Sequence, residues 1–264
     1  VALTIIEASP EPGNLGVVAI AIAAGVGTSL VLGAWNGFLV AVLGIQPIIA
    51  TLVLMLAGRG VALLITRGFI TTINSEPYQF MAQGYVFGLP FALCVSVAAI
   101  IVVAVVQRRT ALGMLTEAVG INPEASRLAG VRSRGIIWGT YIASGTLAGI
   151  AGILYSSNIM AADANAAGMY IELDAILAVV LGGTSLAGGK FSIAGTVVGV
   201  FTIQTLKTTI TFLGVPPAVS PVFMAGAVLV VVLLQSRRVR GWFTSGRRPA
   251  ARPVSTRSDA KVLS

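Results

Sequence analysis

Apolar runs separated by short polar stretches make up most of the chain from Leu15 to Leu234. A helix needs about 20 apolar residues to cross a hydrocarbon core, and about 17 suffice where the bilayer is thin. Runs that meet or approach this length are Leu15–Leu32, Pro47–Ile65, Pro90–Val106, Ile136–Tyr155, Leu173–Ala187, Ile193–Leu213 and Val222–Leu234. The pattern predicts an all-α, polytopic transmembrane helical bundle of about seven spans. Gln107-Arg108-Arg109 closes the third run and Arg237-Arg238 the last, where cationic anchors are expected. Trp138, Tyr141 and Tyr155 near span ends fit interfacial belts.

Composition strengthens this reading. Hydrophobic residues make up 56% of the 264 and charged residues only 10%, against about 25% charged in a typical soluble domain. Mean hydropathy is +0.94. Such a chain cannot dress a water-facing surface, so it is an integral membrane protein. The net charge of +8 would suggest nucleic acid in a soluble protein. Here the basic residues gather between Arg108 and Arg134 and between Arg237 and Lys261, flanking apolar spans, which is the positive-inside pattern and points to no nucleic acid. Both clusters are therefore expected in the cytoplasm. Histidine is absent and Cys94 is the only cysteine, which removes most metal and thiol chemistry and any intrachain disulfide. Cys94 itself reads as a small apolar filler.

With both clusters inside, an even number of crossings separates them. Leu173–Ala187 is short and would otherwise read as a re-entrant loop, but this parity makes it a crossing, or nearly one. The same count puts Asn14 and the loops at about 67–89, 157–172 and 214–221 outside, with the C-terminus cytoplasmic. The opening VALTIIEASPEPGN reads as a loop, and the expectation is of a chain truncated at its N-terminus. Residues 1–236 form the transmembrane domain, and 237–264 a basic tail, expected to be disordered. The tail serves as a topology anchor or is drawn to anionic lipid.

ELDAILAVVLGGTSLAGGK, residues 172–190, ends in a glycine-rich stretch with a lysine. A phosphate-binding P-loop would need Gly-Lys-Ser/Thr four residues after its first glycine. Here Gly189 occupies the lysine position, Lys190 falls one place late and Phe191 follows, so nucleotide binding is rejected. Gly182, Gly183, Gly188 and Gly189 read instead as turn and packing residues, with Lys190 an inside anchor. Gly145 and Gly149, and Gly195 and Gly199, repeat the small-xxx-small spacing of close-packed membrane helices.

Between the third and fourth spans lies RRTALGMLTEAVGINPEASRLAGVRSRG, residues 108–135, too polar to be embedded. Asn122 suits an N-cap, Pro123 the first helical position and Glu124 the positive N-terminus, while Gly130 suits a stop. These predict a helix of about two turns on the cytoplasmic face, which needs a packing partner because so short a helix is marginal alone. Gly120, Asn122, Ala125, Ala129 and Gly130 match a GxNxxAxxxAG pattern, followed in order by YxxSGxLAGxAGxL, the 172–190 stretch and GTVVG. In this the chain resembles the membrane permeases of ribose-type sugar importers of the ATP-binding-cassette class, from Gly33 to Gln235. EAVGIN, ADANAAG and VPP resemble the galactofuranose branch most. The family's early glycine-aspartate-leucine-serine-valine-glycine motif is missing.

The resemblance implies a subunit that makes no bonds and holds no metal or cofactor, ATP and Mg being held by a partner ATPase. It implies further partners: a periplasmic sugar-binding protein, a second permease copy or paralogue, and the lipid of a bacterial inner membrane. Gly120, Asn122, Glu124, Ala125, Arg127, Ala129 and Gly130 would form the coupling helix. Arg127, with Arg132 and Arg134, pairs with acidic ATPase residues or serves as an inside anchor. Arg59, a charge within a span, is expected to have a structural or pathway role. Asp163, Asn165, Glu172 and Asp174 would lie at the periplasmic mouth, Asp174 being read first as a helix N-cap. Lys207, near its span's end, is expected to snorkel. The rival readings are an ion-coupled secondary transporter of a small polar solute and a membrane-bound enzyme. Both are weakened by the lack of carboxylates inside the spans.

Overall fold

A computed structural model describes residues 1–11, 13–86, 88–185, 188–189 and 191–214, with isolated positions at 219, 222, 225–226 and 229. The expected span at Val222–Leu234 (apart from those positions), the VPP stretch, Lys190 and the basic tail lie outside the described residues. In chain order the elements are α1 (Ala2–Ala8), α2 (Leu15–Ala41), α3 (Pro47–Thr66), β1 (Thr71–Thr72), α4 (Glu76–Gln83), β2 (Tyr85–Val86) and β3 (Leu89–Pro90). They continue with α5 (Phe91–Arg109), α6 (Ala111–Ile121), α7 (Pro123–Leu128), α8 (Ser133–Ile159), β4 (Ala161–Ala162), α9 (Ile171–Leu181) and α10 (Ile193–Phe212). The fold is an all-α membrane bundle. Among the described residues, α2, α3, α5, α8 and α10 are long and apolar enough to cross a bilayer.

The central contact is between α2 and α8, and glycines make it possible. A Cβ on Gly33 would lie 2.7 Å from the Tyr141 carbonyl oxygen, and one on Gly37 would lie 2.5 Å from Trp138 Cδ1. One on Gly145 would lie 2.7 Å from the Ser29 carbonyl oxygen, and Gly149 also faces Ser29. Residue numbers rise on one helix as they fall on the other, so the pair is antiparallel with backbones nearly touching. Close approach of this kind is the main source of helix association where no hydrophobic drive exists. Trp138 fastens the seam by donating its indole N–H to the Ala34 carbonyl oxygen at 2.8 Å. Its indole therefore has a protein partner in α2 as well as a place near a span end.

Several elements differ from the expectation. The first span runs on to Ala41, 27 residues in all, its later turns held by Gly33 and Gly37 on this seam, with Asn36 also buried. The opening residues form α1 rather than a loop: Leu3 and Ile6 are buried with Val18, Ala21, Ile73, Tyr78 and Ile153. The 67–89 loop contains α4, whose Tyr78 is fully buried. The Tyr78 hydroxyl lies 2.5 Å from Ser156 Oγ, and Ser157 donates its hydroxyl to the Tyr78 carbonyl oxygen at 2.6 Å. β1 pairs antiparallel with β4, Thr71 opposite Ala162. The C-terminal end of α8 thus carries a packed pad of α1, α4 and the β1–β4 ribbon.

Of the run 173–187, expected to cross or nearly to cross, the described residues place 173–181 in the 11-residue α9, which starts at Ile171. The helix is about 16 Å long at 1.5 Å per residue, about half the hydrocarbon thickness. It stops at a left-handed turn. Gly183, at φ +81, lets its own N–H reach the Val180 carbonyl at 2.9 Å and the Thr184 N–H reach the Val179 carbonyl at 3.2 Å. That pair of bonds is a Schellman motif, which satisfies carbonyls a helix end would leave open. Among the described residues the next helix is α10, which runs back antiparallel along α9.

Candidate functional site

The 108–135 segment is more ordered than one short helix. α6 continues from α5 with a break at Thr110, and α7 follows after Asn122. Asn122 Oδ1 accepts from the Glu124 and Ala125 N–H groups, each at 3.0 Å, satisfying two donors at the helix start. Ala129 is the C-cap and Gly130, at φ +89, turns the chain. The Ser133 hydroxyl donates to the Pro123 carbonyl at 2.9 Å and ties α7 to the first turn of α8. Arg127 pairs within its own helix, its guanidinium 2.6 Å from Glu124 Oε1, and both side chains are exposed. Ile121 at the end of α6 and Leu128 in α7 are 69% and 81% exposed, as are Leu112 and Met114 of the apolar α6 at 55% and 71%.

Gly120, just ahead of this helix, meets the far end of the 172–190 stretch. A Cβ on Gly188, itself at φ +94, would run into the Gly120 carbonyl oxygen, and one on Gly189 would lie 3.6 Å from Ile121 Cγ1. Along the hairpin, a Cβ on Gly182 would sit 2.5 Å from the backbones of Gly195 and Thr196, Gly195 faces the Gly182 carbonyl, and Gly199 faces that of Ala178.

At the start of α9 the residue preceding the first turn is Tyr170, in a left-handed conformation. Asp174 is therefore not the N-cap. It lies inside the helix and forms an ion pair with Lys207 of α10. Lys207 accordingly reaches a carboxylate rather than only extending to an interface. Glu172 is exposed in the same first turn. Asp163 Oδ1 accepts from the Asn165 and Ala166 N–H groups at 2.8 and 3.1 Å, shaping the turn before α9. Arg59, half-buried in α3, forms no ion pair among the described residues and is not joined to this group by any described contact.

Sequence reasoning passed over Asn36, a buried polar residue of α2 whose Oδ1 has no hydrogen-bond partner among the described residues. Its position inside a long apolar run was the available signal. A groove of about 780 Å3 between α5, α8 and α10 is lined mainly by apolar side chains such as Val97, Ile100, Leu147, Val200 and Phe201. The Ser96 and Thr196 hydroxyls there already donate to carbonyls one turn back, at 2.8 and 3.0 Å. It offers little to a hydroxyl-rich solute.

Residues 1–233 match the family described as the branched-chain amino acid transport system / permease component. The chain belongs to this permease family. Within this permease family, it is 50% identical over 212 residues to the galactofuranose transporter permease protein YtfT of Escherichia coli (strain K12), covering 80% of this chain and 62% of that protein. It is 42% identical over 226 residues to the fructose import permease protein FruF of Bifidobacterium longum (strain NCC 2705), covering 84% and 64%. It is 36% identical over 205 residues to the ribose import permease protein RbsC of Bacillus subtilis (strain 168), covering 77% and 63%. The chain thus spans a little under two thirds of the length of these relatives. No solved structure matches it. Family and apolar helices together make this permease a multi-pass membrane protein.

Proposed function

We propose that this chain is part of the membrane-spanning permease subunit of an ATP-binding-cassette importer that moves a monosaccharide across a bacterial inner membrane. The observation that carries the reading is α7, a capped helix of six residues tied to α8 by Ser133, with Leu128 and Ile121 exposed beside it. A helix this short holds its shape only when anchored. Once anchored and presenting apolar side chains outside a span, it suits contact with another protein better than contact with water. The names of the relatives, permeases for galactofuranose, fructose and ribose, support a monosaccharide as the cargo.

In this reading a partner ATPase binds ATP and Mg and closes on residues 120–130, and the chain itself carries out no bond chemistry. A sugar-loaded binding protein engages the opposite face, near Asp163, Asn165 and Glu172. The C-terminus lies in the cytoplasm, and a second permease copy or paralogue completes the path.

The test is to express the complete gene with its neighbours, purify through a tag on this subunit in mild detergent and identify what accompanies it. An ATPase at near-stoichiometric yield, with hydrolysis raised by a sugar-loaded binding protein, is the expected result. A preparation without ATPase that moves solute down an ion gradient would overturn it.

A further inference from the structure

We infer that the α9–α10 hairpin carries the motion of the 120–130 segment to the opposite face as one stiff body, with Gly188 on Gly120 as its joint and the Asp174–Lys207 pair as its clasp. The inference deepens the coupling role proposed above and rests on it. Contacts succeed one another along a single line. Gly120 lies two residues before Asn122, the cap of α7, and its carbonyl oxygen is where a Gly188 side chain would have to go. No side chain separates the two backbones, so a displacement of Gly120 has little to compress before it reaches Gly188.

Beyond the joint, the Ser192 N–H donates to Thr184 Oγ1 at 3.2 Å and the Gly195 N–H to Ser192 Oγ at 3.1 Å, which braces the turn into α10. Gly182 against Gly195 and Thr196, and Gly199 against Ala178, keep the two strands of the hairpin in backbone contact. Lys207 and Asp174 join α10 to the first turn of α9 at the other end. Close-packed elements of this kind shift as units rather than deform continuously. Close packing alone would say only that two helices are near. What adds to it is that the same hairpin ends on the coupling segment at one side and on a charge pair across 33 residues of sequence at the other.

The experiment uses the complete transporter in proteoliposomes. Gly188→Ala places a methyl group against the Gly120 carbonyl. Gly44→Ala is the matched control, since Gly44 also has positive φ, +71, but nothing within 4 Å. The expected result for Gly188→Ala is an uptake rate per ATP hydrolysed lower by about tenfold, within the range by which intermediate residues alter coupling. ATPase co-purification should be unchanged, and Gly44→Ala should stay near the parent. In a second arm, Cys94→Ala with Asp174→Cys and Lys207→Cys is bridged by a short bifunctional thiol reagent. A hairpin that moves as one body transports at least as fast after bridging as the same double-cysteine variant does before it.

Transport present in the unbridged double-cysteine variant and lost on bridging would overturn the inference, because α9 and α10 would then have to separate. So would Gly188→Ala behaving like Gly44→Ala. If Gly188→Ala fails to assemble, the bridged variant decides alone. Absence of any ATPase from the parent preparation would instead overturn the proposed function and take this inference with it.

Discussion

Gly145→Ala adds one methyl group to the α2–α8 seam, and the structure fixes where it goes. The new carbon would stand 2.7 Å from the Ser29 carbonyl oxygen and 2.8 Å from Gly33 Cα, both backbone atoms that no rotamer change can move. Restoring ordinary contact requires the helices to separate locally by about 0.7 Å, enough to forfeit a quarter to a half of each dispersion contact that opens. Overpacking of this kind costs about 1–3 kcal/mol. Gly152 lies on the same helix with nothing within 4 Å, so Gly152→Ala gains the same helix propensity without the clash. Refolding and unfolding in mixed detergent, followed by tryptophan fluorescence, compares the two. Trp138 reports on the seam because its indole donates to Ala34 across it. Gly145→Ala should be less stable than Gly152→Ala by about 1–3 kcal/mol. Equal midpoints for the two variants would refute the account of the seam.

Asn122→Ala removes the acceptor for two N–H groups and should loosen α7 by about 1 kcal/mol, seen as faster amide exchange at Glu124 and Ala125. Arg127→Lys should change that exchange little, since the Glu124 pair is exposed. Tyr78→Phe should cost about 1 kcal/mol, because Ser156 keeps its bond to the Ile153 carbonyl at 3.1 Å; Tyr78→Ala should cost about 3–5 kcal/mol. Burial holds the Tyr78 phenol above its ordinary range, while the Ser156 bond pulls it down. A folded value above the unfolded one contributes stability that is present below pH of about 10 and lost above it. The melting midpoint of Tyr78→Phe should therefore fall less steeply at high pH than that of the parent. Arg59→Ala should lower uptake or assembly severely, measured by transport and by yield from the membrane, and wild-type behaviour would mean the charge is merely tolerated.

Hydropathy made the long helices legible because a span needs only length and apolarity, and the Asn122-Pro123 start of α7 was legible because capping is local. The pad was not. Leu3 and Ile6 sit in VALTII, an apolar run too short to predict an element, and Tyr78 acquires meaning only when α8, more than 70 residues on, brings Ser156 and Ser157 to it. Asp174 followed the local rule for a cap, yet its partner stands on a helix whose register is set by glycine contacts that sequence spacing alone cannot align. Where α9 ends was hidden for a related reason. An apolar run does not announce where a left-handed glycine will end a helix inside it.

The length of α2 and α8 has a consequence for the surrounding lipid. Each has 27 residues, about 40 Å against a hydrocarbon layer of about 30 Å. The surplus of roughly 10 Å is a mismatch that a lone helix would absorb by tilting. Here two such rods are fixed backbone to backbone, and one pair of ends is crowned by the α1–α4 pad, so tilting one means tilting both together with the pad. A thicker membrane would therefore swallow more of the rods rather than splay them, and the height of the pad above the lipid, not the angle between the helices, would register the change.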